Sequence, residues 1–146
     1  MSVVTESTKT VVGVPRERSG GEARVALVPS AISQLVTSGL DVIVERGAGE
    51  AAGFPDDAYA AHGARLGSRW EALEADIVVR VHGWGFDRDG NLDVSHPDQV
   101  VIALADPLGS PVAVRAAGEH KLVALALDLV PRITRAQAMD ALSSQA

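Results

Sequence analysis

The sequence contains no cysteine, and aromatic residues make up only 3% of its 146 residues. Without cysteine the chain can form no disulfide bond, no thiolate zinc site and no cysteine nucleophile. With so few aromatic residues, the core must consist mainly of Ala, Val, Leu and Ile. Such a composition is typical of parallel strands that are buried beneath helices rich in small residues.

Two further features are missing, a basic surface and a long apolar segment. The 13 Lys and Arg residues are outnumbered by 19 Asp and Glu residues, which gives a net charge of -6. This balance disfavours nucleic-acid binding, which needs clustered basic residues. The longest apolar stretch, residues 122–130, is interrupted by Asp128 and is far too short to span a bilayer. We therefore expect a soluble, cytoplasmic protein that neither binds nucleic acid nor inserts directly into a membrane.

The histidines offer no evident catalytic or metal site. The sequence has four of them, His62, His82, His96 and His120. Their spacing matches no zinc-binding motif, so no metal is expected. His82 and His96 lack a nucleophile or carboxylate at a fixed spacing, and we assign neither of them as a catalytic base.

Five short aliphatic runs alternate with helical patterns along most of the chain. The runs cover residues 11–14, 41–45, 77–81, 99–104 and 122–127. Helical patterns cover residues 30–38 and begin again near Ser68 and Ser110, where a capping-box spacing and a first-turn proline mark the starts. Strands that alternate with helices predict a single α/β lobe over residues 11–130. Its expected fold is Rossmann-like or flavodoxin-like, an open, mostly parallel five-stranded sheet with helices on both faces.

Two segments fall outside this alternation. Residues 1–10 are polar and lack the apolar region of a signal peptide, so we expect a disordered tail. Residues 83–97 are rich in Gly, Asp and Asn, which predicts a long surface loop or hairpin.

A glycine-rich loop, residues 47–53, follows the second predicted strand and resembles a phosphate cradle. Its position disagrees with that function, because a dinucleotide fingerprint follows the first strand of its fold. Pro55 would break a helix opened by the loop, and Glu50 would repel a phosphate. We therefore predict that the loop is a tight turn that binds no phosphate.

The loop after the first strand carries Arg16, Glu17, Glu22 and Arg24. It lies at the carboxyl edge of the predicted sheet, where ligands of open α/β folds bind. Arg24 could hold a carboxylate in a bidentate manner. Alternatively, a Glu–Arg pair could serve only to fix the loop, and the sequence leaves both possibilities open.

The last segment, residues 131–146, has the densest polar pattern. Thr134 and Gln137 have capping-box spacing, which predicts a helix that begins at Thr134. Gln137, Asp140 and Ser144 share one face of that helix, whereas Met139 and Leu142 face elsewhere. The polar face could contact a ligand, or it could be an ordinary solvated face. No residue that typically ends a helix follows, so we expect a chain truncated within this helix or a partner that continues it.

Three segments resemble a known family, the N-terminal domain shared by alanine dehydrogenases and proton-translocating NAD(P) transhydrogenases. They are GVPRERSGGEARVALVP at residues 13–29, VERGAGEAAGFPDDAY at residues 44–59 and VPRITRAQAMDALSSQA at residues 130–146. The first two resemble the whole superfamily, and the third resembles the transhydrogenase α subunit in particular.

The resemblance implies a partner domain and two nucleotides. In this family NAD(H) is held by a second, Rossmann domain, which would follow the inter-domain helix that begins in residues 131–146. NADP(H) and the proton path would belong to membrane and NADP-binding subunits, and the full α subunit would be a homodimer. The residues that face the nicotinamide would be Arg132, Gln137, Asp140 and Ser143. Hydride passes directly between two nicotinamides, so the resemblance requires no catalytic acid, base or nucleophile.

Two alternatives remain beside the transhydrogenase lobe. An alanine dehydrogenase fragment would bind its substrate carboxylate with Arg24. However, His82 stands where that branch has a lysine, and residues 103–107 lack its histidine. The other alternative is an orphan lobe that acts as a non-catalytic binding or assembly module. The sequence departs from the transhydrogenase pattern at Gly21 and at residues 106–108.

Overall fold

The computed structural model describes residues 8–85, 93 and 96–131. In this part of the chain six parallel strands form one sheet, in the order β3-β2-β1-β4-β5-β6. The strands are β1 (Val11–Val14), β2 (Asp41–Glu45), β3 (Arg65–Gly67), β4 (Ile77–His82), β5 (Val100–Leu104) and β6 (Val123–Ala126). The helices are α1 (Pro29–Thr37), α2 (Asp56–Ala61), α3 (Arg69–Leu73) and α4 (Pro111–Glu119), with 3₁₀ helices at Glu50–Ala52 and Leu127–Leu129.

The predicted α/β lobe with a parallel sheet is confirmed, but the predicted number of five strands is wrong. The sixth strand is β3, which pairs with β2 at one edge of the sheet. It has three residues, Arg65–Gly67, and only one of them is a large aliphatic residue. Such a run has no detectable period, so that only its pairing with β2 makes it a strand.

The helix starts agree with their sequence signals. The capping box before α3 is present, because the Ser68 hydroxyl accepts a bond from the Glu71 amide at 3.2 Å. The Glu71 carboxylate in turn accepts a bond from the Ser68 amide at 2.7 Å. Pro29 and Pro111 stand in the first turns of α1 and α4, where their missing N–H groups break no helical hydrogen bond.

The chain covers the two faces of the sheet with different helices. The first face carries alternate residues of β1 and β2, and these pack against Ile32 of α1 and Tyr59 of α2. The strand residues of this cluster are Val12, Val14, Val42 and Val44. All of them are almost completely buried.

The second face is covered by α3 and α4. Leu73 of α3 and Ala117 of α4 pack there against Val78, Val101 and Ala103. On this face α3 crosses β1 so closely that a side chain at Gly13 would overlap the carbonyl oxygen of Ala72. The predicted helices on both faces are therefore present, and a glycine in a strand permits one of these contacts.

The strand order places the carboxyl ends of β1 and β4 side by side. The chain runs from β1 outward to β3 and then crosses back to β4, so the direction of winding reverses between these two strands. In open α/β sheets the crevice at such a reversal is the usual ligand site. Among the described residues, no helix is long and apolar enough to cross a membrane.

Candidate functional site at the carboxyl edge

The loop between β1 and α1 is tied to the end of β4 by one carboxylate. Glu17 accepts a hydrogen bond from the Val81 amide at 2.6 Å and one from the His82 amide at 3.3 Å. The Glu17 side chain thus links the loop after β1 to the carboxyl end of β4, the two strands between which the winding direction reverses. This bridge fixes where the rest of the loop lies.

Glu22 and Arg24 form a closed pair in that loop. Glu22 accepts bonds from Arg24 Nε at 2.9 Å, from Arg24 Nη2 at 3.0 Å and from the Arg24 amide at 2.7 Å. Its other contact is His82 Nε2, which lies 2.5 Å from Oε2. The Glu22 side chain is only 8% exposed, whereas that of Arg24 is 49% exposed. The pair therefore fixes the loop, as one of the two alternatives for Arg24 proposed.

The electrostatics of the pair keep both groups charged. The guanidinium of Arg24, which outweighs the opposing effect of burial, lowers the pKa of Glu22 to about 2. The same contact raises the pKa of Arg24. A ligand carboxylate would have to displace Glu22 to receive the Nε and Nη2 bonds, which makes the carboxylate-binding alternative costly.

A cavity of about 550 Å³ opens beside this pair on the first face of the sheet. Its volume is within the range of small-molecule sites. Apart from Arg24 and Arg80 its lining is apolar, with Val25, Ala26, Val28, Ala52, Phe54, Val79, Val81, Leu104 and Leu127. It therefore has an apolar interior and one charged side chain, Arg24, from the same face.

The side chain of Arg80 points away from the first face, because alternate strand residues point to opposite faces. Its neighbour Val79 packs on the first face, so the Arg80 side chain lies on the second face with Arg69 of α3. There both arginines bind Asp93. Arg69 donates from Nε to Oδ1 at 3.2 Å and also pairs with Oδ2, and Arg80 donates from Nη2 to Oδ2 at 3.2 Å.

This second cluster is also tied to β1 and β2. Arg69 donates to the carboxylate of Glu45 at 3.0 Å and to the carbonyl of Arg16 at 2.9 Å. Burial lowers the pKa of Arg80, in spite of its bonds to Asp93. For Arg69 the bonds to Asp93 and Glu45 outweigh burial, and its pKa is raised. The cluster holds α3, β2 and β4 together and leaves few donors for a ligand.

The glycine-rich loop, residues 47–53, uses its own backbone donors. The Gly47 amide donates to the Asp56 carboxylate at 2.8 Å, and four further amides of the loop donate to carbonyls within it or just before it. Gly49 lies against Tyr59, so closely that a Cβ atom there would be 2.6 Å from the ring. These contacts support a tight turn. The absence of phosphate binding stays a prediction.

Several sequence-predicted site residues lie outside the described part of the chain. They are Arg132, Gln137, Asp140 and Ser143. Of the predicted loop at residues 83–97, only 83–85, 93, 96 and 97 are described, and they contain no helix or strand. His82 meets Glu22, and His96 Nδ1 lies 2.9 Å from the carbonyl of Pro97. Within the described ranges no group of acidic or histidine side chains could hold a metal ion.

Sequence reasoning missed three contacts at this edge. They are the Glu17 bridge, the pairing of Glu45 with Arg69, and the pairing of Arg80 with Asp93. One signal was available, since Arg80 interrupts an otherwise aliphatic buried strand and must have a charged partner. The sequence could not identify that partner, because Asp93 lies 13 positions after Arg80 and no regular sequence pattern connects them.

The sequence matches one known protein family over most of its length. The family model described as "Alanine dehydrogenase/PNT, N-terminal domain" matches residues 13–146. The chain belongs to this family. The resemblance to this family is therefore confirmed over residues 13–146.

Among individual proteins, transhydrogenases match over most of the chain. The NAD(P) transhydrogenase subunit alpha of Haemophilus influenzae is 37% identical over 93% of this chain and 26% of its own length. The crystal structure of transhydrogenase from Sinorhizobium meliloti superposes with a TM-score of 0.84 at 38% identity, over 92% of this chain and 40% of that one. Alanine dehydrogenase of Bacillus subtilis is 40% identical over only 49% of this chain. The chain thus spans well under half the length of the relatives that it matches.

Proposed function

We propose that this chain is the first lobe of a proton-translocating NAD(P) transhydrogenase α subunit. In this proposal the lobe contributes the nicotinamide-facing side of an NAD(H) site at which hydride passes from NADH to NADP⁺. The observation that carries the proposal is the similarity to transhydrogenase α subunits over 93% of the chain, against 49% for the alanine dehydrogenase of B. subtilis.

The described residues do not fit the phosphate cradle that such a site needs. The loop after β1 has no dinucleotide fingerprint, and Glu17 and Glu22 occupy the edge where a pyrophosphate would lie. Five of the seven amides of residues 47–53 already donate to carbonyls of this segment, to the Glu45 carbonyl or to the Asp56 carboxylate. The pyrophosphate would therefore have to be bound by another domain, in agreement with the small share of its relatives that this chain covers.

The residues proposed to face the nicotinamide are Arg132, Gln137, Asp140 and Ser143. The bound nicotinamides would supply the hydride chemistry. The task of these side chains would be to orient a ring through polar contacts, because rate depends steeply on the alignment of the reacting atoms. The same proposal places NADP(H) and the proton path in other domains or subunits. It also includes a homodimer of the full α subunit and a peripheral membrane association through partner subunits.

The alanine dehydrogenase alternative is disfavoured by the geometry around Arg24. In that alternative Arg24 would receive the substrate carboxylate, yet Glu22 already accepts two side-chain bonds from it. His82, at the position of that branch's lysine, is bound to the same carboxylate. Two of the proposed substrate groups are thus already paired with one internal anion.

The proposal is tested in the reassembled enzyme, with this lobe expressed together with the remaining domains. Arg132→Ala and Gln137→Ala should each slow hydride transfer on the order of a hundredfold, because a displacement of about 1 Å is enough for such a loss. Stopped-flow transfer rates and melting curves are recorded on the same samples. Thermal stability should change little, since a lost cap contact costs about 1 kcal/mol.

Arg135→Ala is the matched control, since it removes the same charge from the same segment at a position outside the proposed set. Its transfer rate should stay near that of the unmodified enzyme. Unchanged rates in Arg132→Ala and Gln137→Ala would remove this segment from the active site. A fall in melting temperature with intact turnover would assign Gln137 to capping alone.

The isolated chain provides a second, independent check. It should bind NADH very weakly and catalyse no hydride transfer, because the pyrophosphate cradle is the main source of dinucleotide affinity. Calorimetry on the purified chain measures this directly. A micromolar dissociation constant would show that the nucleotide site lies within this lobe.

A further inference from the structure

Two buried arginines share one carboxylate on the second face of the sheet. Arg69 of α3 donates from Nε to Oδ1 of Asp93 at 3.2 Å, and its Nη2 pairs with Oδ2. Arg80 of β4 donates from Nη2 to the same Oδ2 at 3.2 Å and from Nη1 to the Asp93 carbonyl at 3.2 Å. The carboxylate of Asp93 thus receives donors from a helix and from a strand of the sheet.

The donors of this cluster lie deeper in the protein than the carboxylate that they bind. The side chain of Arg69 is 13% exposed and that of Arg80 is 8% exposed, whereas that of Asp93 is 34% exposed. Solvent therefore reaches the anion more readily than it reaches either cation. Such an arrangement is typical of an anion site, in which buried donors form the floor and the anion is the outermost group.

Arg69 is held in place by contacts that do not involve Asp93. Its Nη1 donates to the Glu45 carboxylate at 3.0 Å and to the Arg16 carbonyl at 2.9 Å. These bonds fix the guanidinium and leave Nε and Nη2 as a fork, whose two N–H groups match the two oxygens of a carboxylate. The fork should therefore keep its position when the side chain of Asp93 is removed.

Arg80 is fixed by its strand, because β4 pairs with β1 on one side and with β5 on the other. Its Nε is buried and has no hydrogen-bond partner among the described residues, so Asp93 does not use all of its donors. A buried guanidinium needs an anion beside it, since an unpaired buried charge is costly. Strand β4 thus brings a cation that requires a counter-ion to the fork of Arg69.

We propose that Arg69 and Arg80 form a preformed carboxylate-binding site, which Asp93 fills from within the chain. The bound carboxylate joins α3 to β4 by neutralising one cation from each element. In the unmodified chain the tethered carboxylate has a high effective concentration and excludes external carboxylates. When that side chain is absent, the site binds a small carboxylate ion from solution. This proposal concerns the second face alone and is independent of the nucleotide site proposed above.

The test replaces the internal carboxylate with acetate. Asp93→Ala in the full 146-residue chain should melt several degrees below the unmodified chain in sodium chloride, because Arg80 loses its counter-ion. Sodium acetate at the same ionic strength and neutral pH should raise the melting temperature of Asp93→Ala along a saturable curve. The unmodified chain should show no saturable response, since its site is already filled.

A second measurement detects the bound acetate directly and does not depend on stability. Saturation-transfer-difference NMR on the methyl protons of acetate should give a signal with Asp93→Ala and none with the unmodified chain. Addition of chloride at the same ionic strength should not remove that signal, because a spherical ion cannot match the fork of Arg69.

Two further variants are matched controls. Asp57→Ala removes the same charge at an exposed position of α2, and its response to acetate should equal that of the unmodified chain. The double variant Asp93→Ala with Arg80→Met replaces the buried cation by an apolar side chain of similar length. It should melt above Asp93→Ala in chloride, because no buried charge is left unpaired, and it should lose the response to acetate.

Each other outcome would overturn the carboxylate site. A folded Asp93→Ala chain with no acetate response, in melting or in NMR, would show that the two arginines do not form a site by themselves. Equal acetate responses in Asp93→Ala and in the double variant would place the bound acetate elsewhere. If Asp93→Ala is unfolded in chloride, acetate should restore its far-ultraviolet circular dichroism, and a failure to do so would also contradict the proposal. None of these measurements involves a nucleotide, so this site and the proposed function can fail separately.

Discussion

The two halves of the sheet contrast sharply, although both are built from short aliphatic strands. In the half formed by β1, β2 and β3, the side chains of Ile32 and Tyr59 are completely buried beneath their helices. In the half formed by β4, β5 and β6, large apolar side chains remain exposed on one face. Val123, at 49% exposed, belongs to this second set.

The difference teaches that burial in this fold depends on winding rather than on composition. The first half receives α1 and α2 on one face and α3 on the other, so it is covered on both sides. The second half is covered on one side only in the described residues. An aliphatic strand such as β6 can thus be a core strand or an edge with an open face, depending on whether a connection crosses it.

Truncation of one side chain in each half should produce the largest difference in the free energy of unfolding. Tyr59→Ala should lower the free energy of unfolding by about 3 to 5 kcal/mol, because it leaves a cavity beneath α2 and removes the hydroxyl bond to the Leu27 carbonyl at 2.9 Å. Burial raises the pKa of Tyr59 to about 12, so this hydroxyl is neutral and donates at any ordinary pH.

Val123→Ala is the counterpart in the open half. Because the side chain is 49% exposed, its loss should cost less than about 1 kcal/mol. Urea denaturation of both variants measures the difference. Equal losses of unfolding free energy in the two variants would show that Val123 is as buried in solution as Tyr59. That result would contradict the contrast between the two halves.

A smaller effect is expected where the second face is completed over β1. Gly13→Ala should destabilise the chain by about 1 to 3 kcal/mol, because the new methyl group would force the backbone of α3 at Ala72 to move. Gly20→Ala is the matched control, since no atom lies within 4 Å of a Cβ at that position. Its stability should change by no more than about 0.5 kcal/mol. Thermal denaturation that ranks the two variants alike would contradict the close packing of α3 on β1.

The smallest effect on stability is expected at Glu22, which lies in the loop after β1 and contacts His82 at the end of β4. The folded chain holds the pKa of Glu22 at about 2, below its ordinary value of 4.5, because Arg24 binds the carboxylate. A lowered pKa means that this contact stabilises the fold fully above about pH 4.5, and that the stabilisation is lost as the pH falls toward 2.

Glu22→Gln should therefore reduce the melting temperature at neutral pH and have progressively less effect in that acid window. Glu71 has a similarly lowered pKa, so the comparison must be made between the variant and the unmodified chain at each pH. A difference between the two melting curves that stays constant from pH 6 to pH 2.5 would show that Glu22 carries no such linkage.

Much of the fold could be predicted because its signals are local. Aliphatic runs of four to six residues predicted the positions of β1, β2, β4, β5 and β6. A capping box marked the start of α3, and first-turn prolines marked the starts of α1 and α4. Strand β3 and helix α2 were missed, since three and six residues carry no measurable period. The family was predictable as well, because its motifs are contiguous stretches of sequence.

The candidate site was only partly predictable, because its contacts join distant residues. The sequence suggested that Glu22 and Arg24 could pair, and they are two residues apart. It could not show that Glu17 binds the end of β4, across 64 residues, or that Arg69 joins Glu45 to Asp93. Such pairs depend on strand order, and periodicity within a segment contains no information on that order.

By itself, then, the sequence determined the α/β class, the tight turn at residues 47–53, the family, and the two-faced pattern of residues 134–146. Each of these depends on neighbours in the chain, through propensity, capping and turn chemistry. Only the tertiary structure decided that β1 and β4 are adjacent, that Arg80 and Arg69 share Asp93, and that half of one face stays open in the described residues. These properties follow from the order of the strands, which is set when distant segments bury their apolar surface together.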